Sequence, residues 1–335
     1  MVELVIVADD LTGALDAAAP FAGRGLVTRV ALDATAFGVA MASGAQVVAM
    51  TTGSREIGAD DARRATEAVA CQIPDGVQVF KKVDSRLKGN IKAELSALPF
   101  TRALVAPAIP DFDRIVQDGC VTGFGVERPI PVAVVLGRYA AQADIPDVRT
   151  AEDMDEALAA TSADLLVGAR GLAEALARRM TGAAARGVDT LATPALFVIG
   201  SRDPITLRQV EGLRDAGAVW CPAPNGQATG AALSPLCVIQ ATVGEAEASP
   251  QDVSAALAAS VHPHLTGQFR TLVVTGGATA EAVLRHMGIT QLDLAGEALP
   301  GIVVACAGDL TIVTKSGGFG DGDALVRLAR MTGAI

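Results

Sequence analysis

Aromatic residues are scarce in this chain: one Trp, one Tyr and nine Phe among 335 residues. Stacking platforms for bases or sugar rings need exposed aromatic faces, so ligands must be read by polar groups and backbone instead. Positive charge is also short, with 27 Lys and Arg against 37 Asp and Glu, a net charge of −10. Binding to a nucleic-acid backbone requires the opposite balance, so no nucleic-acid partner is expected and an anionic ligand has to meet a local basic site. Long apolar runs are absent. Half of the residues are hydrophobic, yet the runs are as short as LVIVA at 4–8 and VAVVL at 132–136, far below the roughly 18 residues of a membrane-spanning helix. The sequence lacks the basic n-region and long apolar h-region of a secretory signal, so no membrane partner is expected and the chain is placed in the cytoplasm. Cys71, Cys120, Cys221, Cys237 and Cys306 are scattered singly without a C-x-x-C, as suits free thiols in a reducing compartment better than disulfides or zinc.

Several catalytic signatures are missing as well. No glycine loop fits G-x-x-x-x-G-K-[ST], no G-x-G-x-x-G follows the first strand, and no G-x-S-x-G occurs, which excludes Walker, dinucleotide-binding and nucleophile-elbow readings. GFGVER at 123–128 lacks the third glycine and lies in irregular sequence. The three histidines, His262, His264 and His286, lie far from every motif below and are read as structural.

What is present is an α/β pattern. Short β-branched runs alternate with Ala-rich helical stretches: LVIVA, TRVAL, QVVAMT, VQVFKKV and ALVAP in the first half, then ALFVIG, PLCVIQ, TLVVTGG, IVVACAG and LTIVTKSGG. Such alternation predicts mainly parallel sheets flanked by helices. The length fits two domains at roughly 150 residues each, divided as 1–190 and 191–335 with the linker in 180–193. Residues 111–149 are irregular, as a lid or an interface would be.

Ligands of open α/β sheets bind beyond the carboxyl ends of the strands, and polar residues cluster there. The first strand ends in Asp9-Asp10, followed by a helix. Capping needs one acceptor, so the second carboxylate is free to take a hydroxyl proton or hold a metal-bound water. Asp10 is the first choice for the base, Asp84 the second, and Asp9 the better candidate for capping. Ser54 and Arg55 follow the QVVAMT strand, and the Arg55 fork suits a carboxylate. VFKKVDSRLKGN at 79–90 gathers Lys81, Lys82, Arg86 and Lys88 around Asp84, a local anion site in an acidic chain. Strand alternation points Lys81 and Lys82 to opposite faces, so at most one is expected inward, and the phase with Asp84 favours Lys82. In the second half IGSRDP, VTGGATAEAV and TKSGGFGDGD place glycine turns after strands. Backbone N–H groups left free there bind phosphate, and three such loops together point to a nucleotide.

These segments, ADDLTGA, KKVDSRLKGN, APAIPDFDRIVQDG, IGSR, TGGATA and KSGGFG in order, resemble the four-carbon acid sugar kinase family, which includes D-threonate, D-erythronate and 3-oxo-tetronate kinases. The likeness covers most of the chain. It departs where the family usually reads DSTLRGN and this chain has DSRLKGN, and the chain is shorter between Pro131 and Leu165. The resemblance implies an N-terminal domain for the sugar acid, a C-terminal domain for ATP, Mg2+ as companion ion, and an active site in the cleft between them. It maps Asp9, Asp10, Ser54, Arg55, Lys82 and Asp84 to the acid-sugar side, with Asp10, Asp84 and Lys82 as catalytic. Ser201, Gly276, Gly277, Thr279, Lys315, Gly317, Gly318 and Gly320 map to the nucleotide side. The expected activity is ATP-dependent phosphorylation of a terminal hydroxyl of the acid. A kinase of a different hydroxy acid and a non-catalytic ligand-binding homologue are the alternatives. Metal ligands are not identifiable from the sequence, and a homo-oligomer is left open.

Overall fold

The hydrophobic runs become buried parallel strands because helices cover both faces of each sheet, so a strand must be apolar on both sides. The computed structural model describes residues 1–228, 234–262 and 266–335. His264 lies outside the described residues. Two compact units form, Met1–Ala185 and Arg186–Ile335.

In the first unit the chain runs β1 (Leu4–Ala8), α1 (Leu11–Ala22), β2 (Thr28–Ala31), α2 (Ala34–Met41), β3 (Val47–Thr51), α3 (Ala59–Ala70), β4 (Gln78–Lys82), α4 (Ile91–Leu95) and β5 (Ala103–Ala106). There follow β6 (Arg114–Gln117), β7 (Cys120–Gly123), β8 (Ile130–Pro131), α5 (Val132–Leu136), β9 (Ala143–Asp144), α6 (Ala151–Ala160), β10 (Leu165–Gly168) and α7 (Arg170–Thr181). The main sheet has the order β2-β3-β1-β4-β10-β5-β9, with parallel pairing throughout. Val5, Val7, Val48 and Phe37 form part of its core. The chain leaves β1 toward one edge and β4 toward the other, so the carboxyl ends of these neighbours form a topological switch point. Residues 111–149, expected to be irregular, instead hold a small antiparallel sheet in the order β6-β7-β8.

The second unit runs β11 (Ala195–Ile199), α8 (Pro204–Asp215), β12 (Val219–Pro224), β13 (Leu236–Thr242), α9 (Pro250–Val261), β14 (Thr271–Thr275) and α10 (Gly277–His286). It ends with β15 (Gln291–Leu299), β16 (Ile302–Ala307), β17 (Leu310–Lys315) and α11 (Ala324–Met331). The strand order is β12-β13-β11-β14-β17-β16-β15; the first five are parallel and β16 and β15 antiparallel. Phe197, Val238, Val273 and Val313 lie in its core. The expected fold class is therefore what forms. Four strands of the main sheets escape the sequence pattern: β9 is two residues long and β10 four, β12 carries Pro222 and Pro224, and β15 mixes Asp293, Gly296 and Glu297 into its run. Prolines in β12 are tolerated because it is the edge strand. Among the described residues no helix is long and apolar enough to cross a membrane.

One glycine fixes the small sheet. Gly123, at φ +94°, lies so close to the preceding turn that a Cβ would fall 1.9 Å from the Asp113 carbonyl oxygen. The substitution Gly123→Ala combines a left-handed backbone with a backbone clash, so it should cost more than about 1 kcal/mol. Hydrogen exchange should show β6 and β7 losing protection while β1, β3 and β4 keep theirs; full protection across β6 and β7 would contradict this.

Candidate functional site

The carboxyl ends of β3, β1 and β4 are neighbours, and their loops supply one polar cluster. Asp9 is buried. Arg55 grips it with two bonds, Nε to Oδ2 and Nη2 to Oδ1, both 2.8 Å, and donates from Nη1 to Asp10 Oδ2 at 2.5 Å. Burial alone would raise the Asp9 carboxyl, but the Arg55 hydrogen bond and the charges of Lys81, Arg55 and Lys82 hold it below the usual carboxylate value. Burial likewise opposes the Arg55 charge, and its bond to Asp9 with the charges of Asp10, Asp9 and Asp84 overcomes this and raises it above the ordinary arginine value. Much of the fork expected to await a ligand carboxylate is thus engaged within the protein, although the guanidinium stays partly exposed.

The capping assignment reverses. Asp10, not Asp9, caps α1: Oδ1 accepts from the Gly13 N–H at 2.7 Å and Oδ2 from Thr12 Oγ1 at 3.0 Å. Asp10 leaves β1 in extended geometry just before the first turn, while Asp9 still points into the buried layer.

The expectation that at most one lysine sits inward also fails. Lys81 and Lys82 do face opposite sides, but helices cover both, so both are buried. Lys81 Nζ lies 3.0 Å from Glu94 Oε2 on α4. Glu94, fully buried, accepts a second bond from Ser54 Oγ, and Ser54 Oγ is 2.6 Å from Thr52 Oγ1. Lys82 Nζ donates to the Val83 carbonyl at 3.1 Å, and with Asp10 Oδ1 it borders the space above Gly13. The loop after β4 folds over this group: a Cβ on Gly89, at φ +93°, would sit 2.9 Å from Asp9 Oδ2. Asn90 ties the same loop to the carbonyls of Ser54 and Ile57, each at 2.8 Å. Asp84 Oδ1 accepts from the Arg86 N–H at 2.8 Å. Sequence reasoning missed Glu94, and it missed Arg114, whose Nη1 donates to Ser85 Oγ at 2.6 Å.

In the second unit the three glycine loops follow adjacent strands, β11, β14 and β17, and meet. A Cβ on Gly317 would lie 2.4 Å from Ser201 Oγ, and one on Gly276, at φ +92°, 3.4 Å from the Ser201 nitrogen. Thr279 fills the place a Cβ on Gly200 would occupy. Gly276 opens α10 with no side-chain cap, so the first N–H groups of that helix, from Gly277 on, remain available to an anion. They border a cavity of about 730 Å³ that is also lined by residues 241–249, from the end of β13 onward, and by the first turn of α9, a size typical of small-molecule sites. Asn225 shapes this wall by accepting from the Gly244 N–H at 3.0 Å and donating to the Ala246 carbonyl at 2.8 Å. This wall carries no glycine-loop signature and was not legible.

Lys315, Gly317, Gly318 and Gly320 do not line that cavity. Lys315 Nζ donates to Thr206 Oγ1 at 3.1 Å and to the Ser316 and Gly317 carbonyls at 3.0 and 3.1 Å, which fastens the loop to α8. Gly320, at φ +81°, faces Ala324. His262 and His286 stack edge to face, 5.8 Å between ring centres, at the ends of α9 and α10.

Burial pushes the Lys315 ammonium down to about 8, against an opposing pull from Asp203. Between about 8 and the ordinary lysine value of 10.5 the unfolded chain binds the extra proton, so the unfolding free energy rises with pH across that window. The Lys315→Met variant should lack this slope when urea unfolding of the second unit is followed at pH 8, 9 and 10. Equal slopes in both proteins would contradict the assignment.

Residues 4–134 match the family model of a sugar-binding N-terminal domain and residues 230–325 that of a nucleotide-binding C-terminal domain. The chain is 30% identical to a D-threonate kinase of Bordetella bronchiseptica over 97% of its own length and 96% of the relative's. It is 28% identical to a 3-oxo-tetronate kinase of Methylobacterium radiotolerans over 95% and 96%. Among solved structures, a Salmonella typhimurium protein labelled a tRNA synthase superposes with a TM-score of 0.79 at 20% identity, covering 98% of this chain and 99% of that one. A Haemophilus influenzae protein does so with a TM-score of 0.72 at 18% identity, covering 98% and 100%; at such identities these two share the fold. On the full-length match to curated relatives, the chain belongs to the four-carbon acid sugar kinase family.

Proposed function

We propose that the protein is an ATP-dependent kinase that phosphorylates a terminal hydroxyl of a four-carbon sugar acid, with the first unit taking the acid and the second the nucleotide. The observation that carries this reading is the strand-end cluster in which Asp10 Oδ1 and Lys82 Nζ converge, 2.5 and 3.4 Å from where a Cβ on Gly13 would sit. Phosphoryl transfer asks a protein mainly for positioning and charge neutralisation, and a carboxylate beside an ammonium supplies both. Asp10 takes the proton of the acceptor hydroxyl, whose oxygen forms the new bond to phosphorus as the bond to the ADP oxygen breaks. Lys82 faces the negative charge of the group in transfer. Asp9, pinned by Arg55, orients the cluster, and Asp84 is the third carboxylate within electrostatic reach of Arg55.

ATP with Mg2+ would supply the phosphoryl group and the charge neutralisation on its oxygens. The uncapped start of α10 and the absence of a Cβ at Gly276 fit phosphate against backbone. Among the described residues no three His, Cys, Asp or Glu side chains cluster to hold a metal, so the ion would be held largely by phosphates, as Mg2+ commonly is. Asp203, beside Gly317 and Gly318, is the carboxylate at that loop.

Coupled ADP release across four-carbon to six-carbon aldonates and their oxo forms tests the reading; turnover should be highest with a four-carbon acid. The Asp10→Asn variant keeps a good cap while removing the proton acceptor, so kcat should fall by about 10²- to 10⁴-fold with thermal stability and ATP affinity retained. Absence of turnover with every acid would overturn the function, and near wild-type kcat in Asp10→Asn would move the base to Asp84.

A further inference from the structure

The small antiparallel sheet of the first unit brings one side chain to the site. Arg114 starts β6 behind a tight turn closed by paired bonds between Ile109 and Arg114, at 2.8 and 3.3 Å. Its guanidinium is fixed from two sides: Nη1 donates to Ser85 Oγ at 2.6 Å, while Nε and Nη2 donate to the Phe124 carbonyl at 3.1 and 2.8 Å. Gly125 leaves room for it, since a Cβ there would lie 3.1 Å from Nη2. A guanidinium carries five N–H groups, so Nη1 and Nη2 each keep one. Among the described residues no ion pair joins Arg114 or Arg86 to a carboxylate.

We propose that Arg114, with Arg86 beside it, is the subsite for the carboxylate of the acid substrate, an inference that rests on the sugar-acid kinase reading above. A half-buried arginine next to a like charge is unfavourable without a ligand. Burial lowers the proton affinity of Arg114, the Arg86 charge lowers it further, and Asp84 opposes them. An incoming carboxylate relieves that repulsion, and a rigidly held planar fork matches its two oxygens. Asp84 acts electrostatically on both Arg55 and Arg114, so one carboxylate is within range of both the Asp9–Asp10–Arg55 group and this pair. A hydroxy acid could thus present its hydroxyl end to Asp10 and its carboxylate to Arg114. The adjoining Asp84 carboxylate disfavours a triphosphate in the same place.

Isothermal titration of the full chain with a four-carbon aldonate, with threitol as the neutral analogue and with ADP tests this. In Arg114→Ala the aldonate Kd should rise about tenfold or more, an effect of at least about 1.4 kcal/mol, with threitol and ADP unchanged. Arg114→Lys, which keeps charge but loses the fork, should fall in between. Unaltered aldonate affinity in Arg114→Ala, an equal loss for aldonate and threitol, or a loss confined to ADP would each overturn the subsite, as would a wild-type protein that binds no aldonate. An aldonate that binds through Arg114 but releases no ADP would sink the kinase reading and leave the subsite standing.

Discussion

Two adjacent carboxylates at the end of a strand buried on both faces are the constraint around which the head of the first unit is built. Asp9 cannot be buried as an anion without compensation, and Arg55 provides it with a two-bond grip, the third contact reaching Asp10. Holding Arg55 there requires a fixed loop after β3. That loop is anchored through Ser54 to Glu94, Glu94 pairs with Lys81, and Asn90 ties down the residues on either side of Arg55. Removing one partner of so buried a pair leaves the other charge unpaired, so the network stands or falls as a unit.

Helix capping separates the anion-binding properties of individual helix starts. The start of α1 is occupied by the chain's own Asp10, and that of α8 by Asp203, whose Oδ1 accepts from the Ile205 N–H at 2.8 Å. In contrast α10 opens on Gly276, which has no side chain to offer. A helix that keeps its first N–H groups free can receive a phosphate, whereas one capped by an aspartate presents a carboxylate suited to a hydroxyl proton. The same strand-loop-helix device thus gives opposite chemistry according to one residue at the cap.

The class, most strands and the polar strand ends were legible because all three follow from local pattern: apolar runs set by two-sided burial, and polar residues clustered where runs end. Which residue does what was less legible. Lys81 and Lys82 alternate as expected, but the partner that lets Lys81 be buried, Glu94 on α4, is set by tertiary packing. Asp9 and Asp10 differ by one step of backbone direction, which decides cap from buried anion. Arg114 arrives from an insertion more than twenty residues beyond the loop it joins, and the cavity wall at 241–249 has no motif. Strand β12 was hidden by prolines that its edge position permits, and β15 by the acids and the glycine within its run.

We propose that the Arg55 clamp holds Asp9 and Asp10 in working geometry, and the Arg55→Lys variant tests this with charge preserved. A lysine cannot make three directed bonds to two carboxylates from one planar group. Steady-state kinetics with ATP and a four-carbon aldonate should show kcat/KM falling by about 10²-fold or more, with ATP affinity unchanged by titration calorimetry. A kcat/KM within about threefold of wild type, roughly 0.6 kcal/mol, would contradict the account.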